Sequence, residues 1–262
     1  MNITIINDCK DENAKGRQLA RITSIFRCSA NFIGVSHELE VAGNIIDILD
    51  ANGDSDGIIL VNVAPRNGKA KKYPNGTPFG YFWYKKTLIV SSIDGHTLSL
   101  VKKLKLTKFI NVLDIPGALD ILIKNKFLSP NLKNLITDSQ FRSYNFLPMV
   151  AAFIFKNKKI KSKKVTIEII SDAPPAIWLV DNFGNCKTTI FTEELSLDPE
   201  GFIKTKFRKL KYYPKLKDVP DKSAAIITGS SGIGEKRFLE IVIQGNSATK
   251  KFNIVLGDNV FI

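Results

Sequence analysis

The chain has 262 residues, 44% of them hydrophobic and 24% charged, and a formal net charge of +13. It is long enough for one large domain or two modest ones, and no apolar run approaches the roughly 20 residues of a membrane span. The opening MNITIINDCKDENA lacks the basic-then-apolar form of a secretion signal, so a cytoplasmic protein with no membrane partner is expected.

Ile3–Ile6 is an apolar run ending in Asn7-Asp8, the form of a buried strand leading to a ligand crevice. A helix follows from Ala14, with Leu19, Ile22 and Phe26 at helical spacing and Asp11, Glu12 and Asn13 as capping and first-turn residues. Asn31–Val35 reads as a second strand, Val41–Leu49 as a second helix and Ile58–Val63 as a third strand. Strands alternating with helices predict an α/β domain with a mostly parallel central sheet. The pattern then stops. Ala64–Pro78, APRNGKAKKYPNGTP, has no apolar period and follows a core strand, where such a connection is functional or mobile. Phe79–Tyr84, Thr87–Ser91 and Phe109–Leu113 read as strands, and Leu98–Leu104 and Gly117–Lys124 as helices. Another helix begins at Pro148, a residue suited to a first helical turn.

A Lys-rich linker is placed at 158–164, dividing an α/β domain at 1–157 from a β domain at 165–262. Beyond it come short runs at Val165–Ser171, Ile177–Val180, Thr188–Phe191, Ala224–Thr228, Phe238–Ile243 and Asn253–Leu256. Punctuated by turns and poor in helix, they predict an all-β, barrel-like C-terminal domain.

Cys9, Cys28 and Cys186 form no metal-binding spacing, and His37 and His96 are the only histidines. Reduced thiols and no metal are expected. The lysine excess attracts anions, but no RNA motif or recognition helix accompanies it, so a solvated lysine face is favoured over a nucleic-acid surface. Ile227–Gly234, ITGSSGIG, lacks the Lys-Ser/Thr of a phosphate loop and reads as a hairpin. His37 reads as a structural or pocket-edge residue. Asp8 and Asp11 each suit a general acid, a ribose-binding carboxylate or a helix cap. The most distinctive stretch is Val180–Ile190, VDNFGNCKTTI. Its acid, aromatic, glycine and amide suit a loop meeting a flat polar ligand.

Together these segments resemble the S-adenosylmethionine hydroxide adenosyltransferase family, relatives of the fluorinase and chlorinase. VDNFGNCKTTI resembles the family's acid-FGN-Thr-Asn pattern, and FLEIVIQGNSA at Phe238–Ala248 its LEIA ending. ITIINDCKDENAKG resembles its opening strand with TDFG, SHELEVAGNIID its SHEI segment, and SSIDGHTLSLV its PDNG stretch. LVNVAPRNGKAKK sits where the family has VVDPGVG, and LPMVAAFIF resembles its final helix.

The resemblance implies a homotrimer with sites between subunits and S-adenosylmethionine as substrate. It implies that Asp8 binds the ribose hydroxyls, Phe183 packs on adenine and Asn185 bonds its edge. Ser231 and the backbone near Ile241 complete the adenine pocket, and Asp11 holds the amino-acid end. Asn67 and Asp94, in matched segments, join the substrate-binding set. The sequence departs from the family where the hydrolases place an Asp, an Arg and a His around the water: Ala64, Lys71 and a His-free Phe141–Ser143 stand there. Lys71 and Arg66, in a cationic loop with Lys69 and Lys72, are the catalytic candidates. The expected function is adenosyl transfer from S-adenosylmethionine. The alternatives are a catalytically degenerate binder of that ligand or adenosine, and a basic nucleic-acid-associated protein.

Overall fold

The most continuously apolar stretches form strands that are buried on both faces. The computed structural model describes residues 1–63, 77–139 and 142–261. It divides into one unit of Met1–Val41 with Asn52–Ser171 and a second of Ala42–Ala51 with Asp172–Ile262.

The first unit holds β1 (Asn2–Asn7), α1 (Glu12–Phe26), β2 (Asn31–Gly34) and the ends of α2 (Glu38–Asn52), then β3 (Gly57–Asn62), β4 (Phe79–Tyr84) and β5 (Thr87–Ser92). After these come α3 (Ser99–Lys103), β6 (Phe109–Leu113), α4 (Ile115–Lys124), α5 (Lys133–Thr137), α6 (Arg142–Asn145), α7 (Leu147–Phe155) and β7 (Ser162–Thr166). The seven strands form one sheet in the order β2-β1-β3-β5-β4-β6-β7. The first four are mutually parallel, as expected, while β4, β6 and β7 join by antiparallel ladders, so the whole sheet is mixed. Ile3, Ile5, Ile58, Leu60, Leu88 and Val90 pack on Leu119, Leu122, Val150 and Phe153. Their neighbours Ile6, Ile59, Val61 and Ile89 point the other way by strand alternation and are also buried. Each such side chain contributes roughly 1.5–3 kcal/mol on leaving water.

Helix starts follow local chemistry. Asp11 caps α1, its carboxylate accepting the Ala14 N–H at 3.0 Å. At α2, His37 Nδ1 accepts the Leu39 N–H at 3.1 Å, and Glu40 reaches back to the His37 N–H at 3.1 Å. The pair acts as a capping box with histidine in the usual Ser/Thr place. Asp114 caps α4 through the Gly117 N–H, and Pro148 lies in the first turn of α7.

The second unit holds β8 (Ile177–Val180), β9 (Cys186–Phe191), β10 (Phe202–Lys204), β11 (Lys209–Tyr213), β12 (Ala224–Ile233), β13 (Lys236–Ile243) and α8 (Ala248–Phe252). These six strands order as β10-β11-β12-β13-β9-β8. No ladder among the described residues closes this sheet into a barrel. Its two margins are instead met by single bridges from Asn259 to Ala176 and from Phe261 to Thr205. Ala42–Ala51 of α2 belongs with this unit. Gly43 lies so close to the Trp178 ring that an added Cβ would sit 2.1 Å from it.

Two boundaries differ from the sequence reading. Residues 158–164 do not separate the units: they run into β7, which pairs with β6 on the first sheet, and the division falls after Ser171. The lysines of Ser162–Thr166 are tolerated because this is an exposed edge strand. Asn253–Leu256 is not a strand, since Asn253 ends α8 in the left-handed conformation. ITGSSGIG is the predicted hairpin, with Ile233 opposite Lys236 across a tight turn at Gly234.

Candidate functional site

In the first unit the strand order reverses between β1 and β3, and ligands of open α/β sheets bind at the carboxyl ends of strands at such a point. Asn7 is fully buried there. It donates Nδ2–H to Gln18 Oε1 at 2.9 Å and accepts the Cys9 N–H at 2.8 Å. Both bonds hold the chain as it leaves β1, which fixes Asp8, whose N–H donates to the Asn62 carbonyl. A cleft lined by Asn7, Gln18, Asn62, Ser143 and Leu147 opens here, too narrow to admit a water molecule.

Asp94 lies just past β5 at the same end of the sheet, since β1, β3 and β5 are parallel neighbours. Its carbonyl accepts the Thr97 hydroxyl at 3.1 Å. Glu38 receives the His96 N–H at 2.8 Å and lies so close to Gly95, at φ +64°, that a Cβ there would meet it at 2.1 Å. The Asp94 turn is therefore tied to the start of α2. A second feature of this unit escaped the sequence reading. Arg17 and Arg21, one turn apart on α1, both lie over the Tyr144 ring of α6, at 4.9 and 4.3 Å from its centroid. Their i,i+4 spacing was visible, but their shared aromatic partner is far along the chain.

In the second unit the FGN stretch is the turn between β8 and β9. Asp181 organises it: Oδ1 accepts the N–H groups of Phe183 and Asn185, each at 2.9 Å, and Oδ2 accepts Asn185 Nδ2–H at 3.0 Å. Gly184 adopts φ +84° and donates to the Asp181 carbonyl. Any side chain there would strike Ser247, whose helix α8 donates the Thr249 N–H to the Gly184 carbonyl at 3.0 Å. The turn is thus fixed from inside and from behind. Phe183 is left 72% exposed at its tip, a large apolar ring held in water by a rigid frame. Asn185 spends one amide hydrogen on Asp181 and keeps its Oδ1 and second hydrogen for another partner.

Ser231 and Ile241 are both taken up inside the second unit. Ile241 is fully buried in its core, on a strand paired with Ile226 on one side and Cys186 on the other. Ser231 is also buried. It donates to Asp47 Oδ2 at 2.8 Å and accepts from Lys187 Nζ at 2.7 Å. Lys187 further lies 4.0 Å from both Asp47 and Glu240, and Glu240 accepts the Ser230 N–H at 3.1 Å. Burial raises the Asp47 and Glu240 carboxyls above their ordinary range, with Lys187 pulling both back down. Next to this network Arg237 meets Asp50 at 2.7 Å. The signal in sequence was faint: two acids in the otherwise apolar IIDILD, a lysine inside β9 and a glutamate inside LEIVI.

Of the predicted site residues, Asp8 and Asp94 come together at one end of the first sheet, and Phe183 and Asn185 share one turn of the second unit. Asp11 serves as a helix cap, which occupies one carboxylate oxygen. Ala64, Arg66, Asn67 and Lys71 lie outside the described residues. Among the described residues there is no cluster of three or more metal-ligating side chains, and no helix is long and apolar enough to cross a membrane.

An α/β unit followed by an all-β unit is a fold shared with solved structures. An uncharacterized conserved protein from Thermotoga maritima aligns with a TM-score of 0.65 over 98% of each chain, at 17% identity. A conserved hypothetical protein from Thermus thermophilus aligns with a TM-score of 0.54 over 98% of this chain and 97% of that one, at 14% identity. No curated protein matches the sequence. Residues 175–261 match the S-adenosylmethionine hydroxide adenosyltransferase C-terminal domain, which contains the Asp181–Asn185 turn. This match supports the family resemblance read from the sequence, and it is a similarity of the second unit's strands to that family's C-terminal domain.

Proposed function

We propose that the protein binds S-adenosylmethionine and transfers its adenosyl group at the ribose 5′ carbon, with water as acceptor. The reading is carried by Phe183, an exposed ring on an immobilised turn inside the matched domain. A flat adenine gains most from such a surface, because the turn is already ordered before binding. Asn185 Oδ1 and its second N–H suit the adenine edge, and a ligand lacking that edge leaves the amide unpaired. Asp8 takes the ribose hydroxyls and Asp94 joins the substrate-binding set, and the sites form between subunits of a homotrimer.

In the reaction, a water oxygen attacks C5′, the C5′–S bond breaks with its electron pair passing to sulfur, and the attacking water loses a proton to solvent. Adenosine and methionine result. The sulfonium is already a good leaving group, so aiming and desolvating the nucleophile carry most of the effect. With Ala64 at the position the family resemblance gives to a carboxylate, Lys71 and Arg66 remain the proposed catalytic groups. Losing a positioned acid or base commonly costs on the order of 10²–10⁴-fold.

That same substitution favours a second reading, a protein that binds S-adenosylmethionine or adenosine without turning it over. Incubation of the purified protein with S-adenosylmethionine, followed by chromatography for adenosine and methionine, separates the two. Equal release of both above the uncatalysed rate supports the enzyme. Tight adenosine binding with no release supports the binder.

A further inference from the structure

At the opposite end of the first sheet from Asp8 lies a second feature. Trp83, at the end of β4, is 39% exposed although it is among the largest apolar side chains of the chain. It stacks on Phe155 of α7, with ring centroids 5.7 Å apart and an interplanar angle of 28°. The two rings wall a hollow of about 450 Å³ completed by Asp56, Lys85, Lys86 and Asn157. Tyr81 faces Asn111 on the neighbouring strand β6, and Trp83 and Phe109 each lie two residues beyond that pair on their own strands. Phe109 is 41% exposed, and Lys164 of β7 lies over its ring at 4.2 Å. The Phe155–Trp83 stack and the exposed Phe109 thus put aromatic faces on two neighbouring antiparallel strands, with lysines beside each.

Exposed large aromatics grouped on one part of a surface mark an interaction site. Flat faces alternating with cations match stacked bases joined by phosphates, and base stacking on aromatics tolerates any sequence. We propose that this face binds single-stranded nucleic acid, with bases on Trp83 and Phe109 and phosphates at Lys86 and Lys164. Two aromatic platforms, each with a cation beside it, fit a strand rather than a lone nucleotide.

The two tryptophans make the test direct. Trp178 is completely buried, so a ligand-induced change in exposed-type emission reports Trp83. Emission and the anisotropy of labelled ten-nucleotide RNA and DNA strands would be followed at about 50 and 200 mM salt, with AMP as a separate arm. The expected result is quenching by the strands, affinity falling with salt, and a loss of about 5- to 150-fold in Trp83→Ala. Lys86→Glu, at an exposed position, should lower both affinity and salt dependence while leaving the fold intact. Strand binding that is absent, or unaltered in both variants, would overturn the proposal. So would AMP binding as tightly as the strands, or a change in oligomeric mass in Trp83→Ala that marks the face as an interface between copies. Adenosine release is expected to be the same in both variants, which keeps this result separate from the adenosyl-transfer assay.

Discussion

Replacing Asp181 by Ala tests whether the FGN turn is a frame built to hold Phe183. The carboxylate accepts two backbone N–H groups at 2.9 Å and the Asn185 amide at 3.0 Å. Bonds to a charged acceptor are worth about 1.5–3 kcal/mol each when buried. Asp181 is only half-buried and water can replace part of what is lost, so the net cost should be about 1–2 kcal/mol. For a chain of this size that lowers Tm by about 2–8 °C. The larger effect falls on binding, because Phe183 and Asn185 must then be ordered by the ligand at a cost of about 0.5–1.5 kcal/mol for each side chain. Adenosine affinity measured by calorimetry should fall about 5- to 150-fold, although Asp181 spends its own carboxylate on the turn. Asp181→Asn keeps an acceptor oxygen and should recover part of both losses. A Tm and an affinity unchanged in Asp181→Ala would refute the view that this carboxylate holds the turn.

Lys187→Met leaves Asp47 and Glu240 facing each other without their shared cation; it should destabilise by about 3–5 kcal/mol in thermal unfolding, and adding Glu240→Gln should restore part of it. Burial holds a proton on Asp47 to higher pH in the folded than in the unfolded chain. Its contribution to stability is therefore full below the ordinary value of 3.8 and is lost as pH rises through the folded value. Asp47→Asn removes that loss, so its Tm should gain on the wild type as pH rises through this window; a constant difference would contradict the burial. Cys186 is buried and its thiol is pushed up to about 12, first by burial and then by Asp181, Asp258 and Glu240. In a thiol titration the exposed Cys9 should react first and Cys186 only on unfolding.

Much of the first unit was legible because its strands are continuous apolar runs and its helices carry their own start signals, as at Asp11 and Pro148. The hairpin in ITGSSGIG was legible from its glycines. What misled was the lysine run at 158–164, since an exposed edge strand and a linker have the same composition. The assignment of α2's middle to the second unit was hidden for another reason. An apolar helix face does not say which core it enters, and Gly43 gains meaning only against Trp178, far along the chain. At the candidate site, the FGN turn stood out because its residue mixture suits no core strand. The bonds of the Ser231 hydroxyl were not legible, because a motif match fixes residue order but not which side of a strand is covered. Ser231 turned inward to Asp47 and Lys187, and those two were themselves concealed inside apolar runs.

The central claim is adenosyl recognition by Phe183, and calorimetry of adenosine with the wild type and Phe183→Ala tests it most directly. The ring is 72% exposed, so its removal should leave Tm almost unchanged. Loss of one stacking face should weaken adenosine binding by about 5- to 150-fold, in line with about 1–3 kcal/mol per stacked base. Equal adenosine affinity in the two proteins would contradict the account.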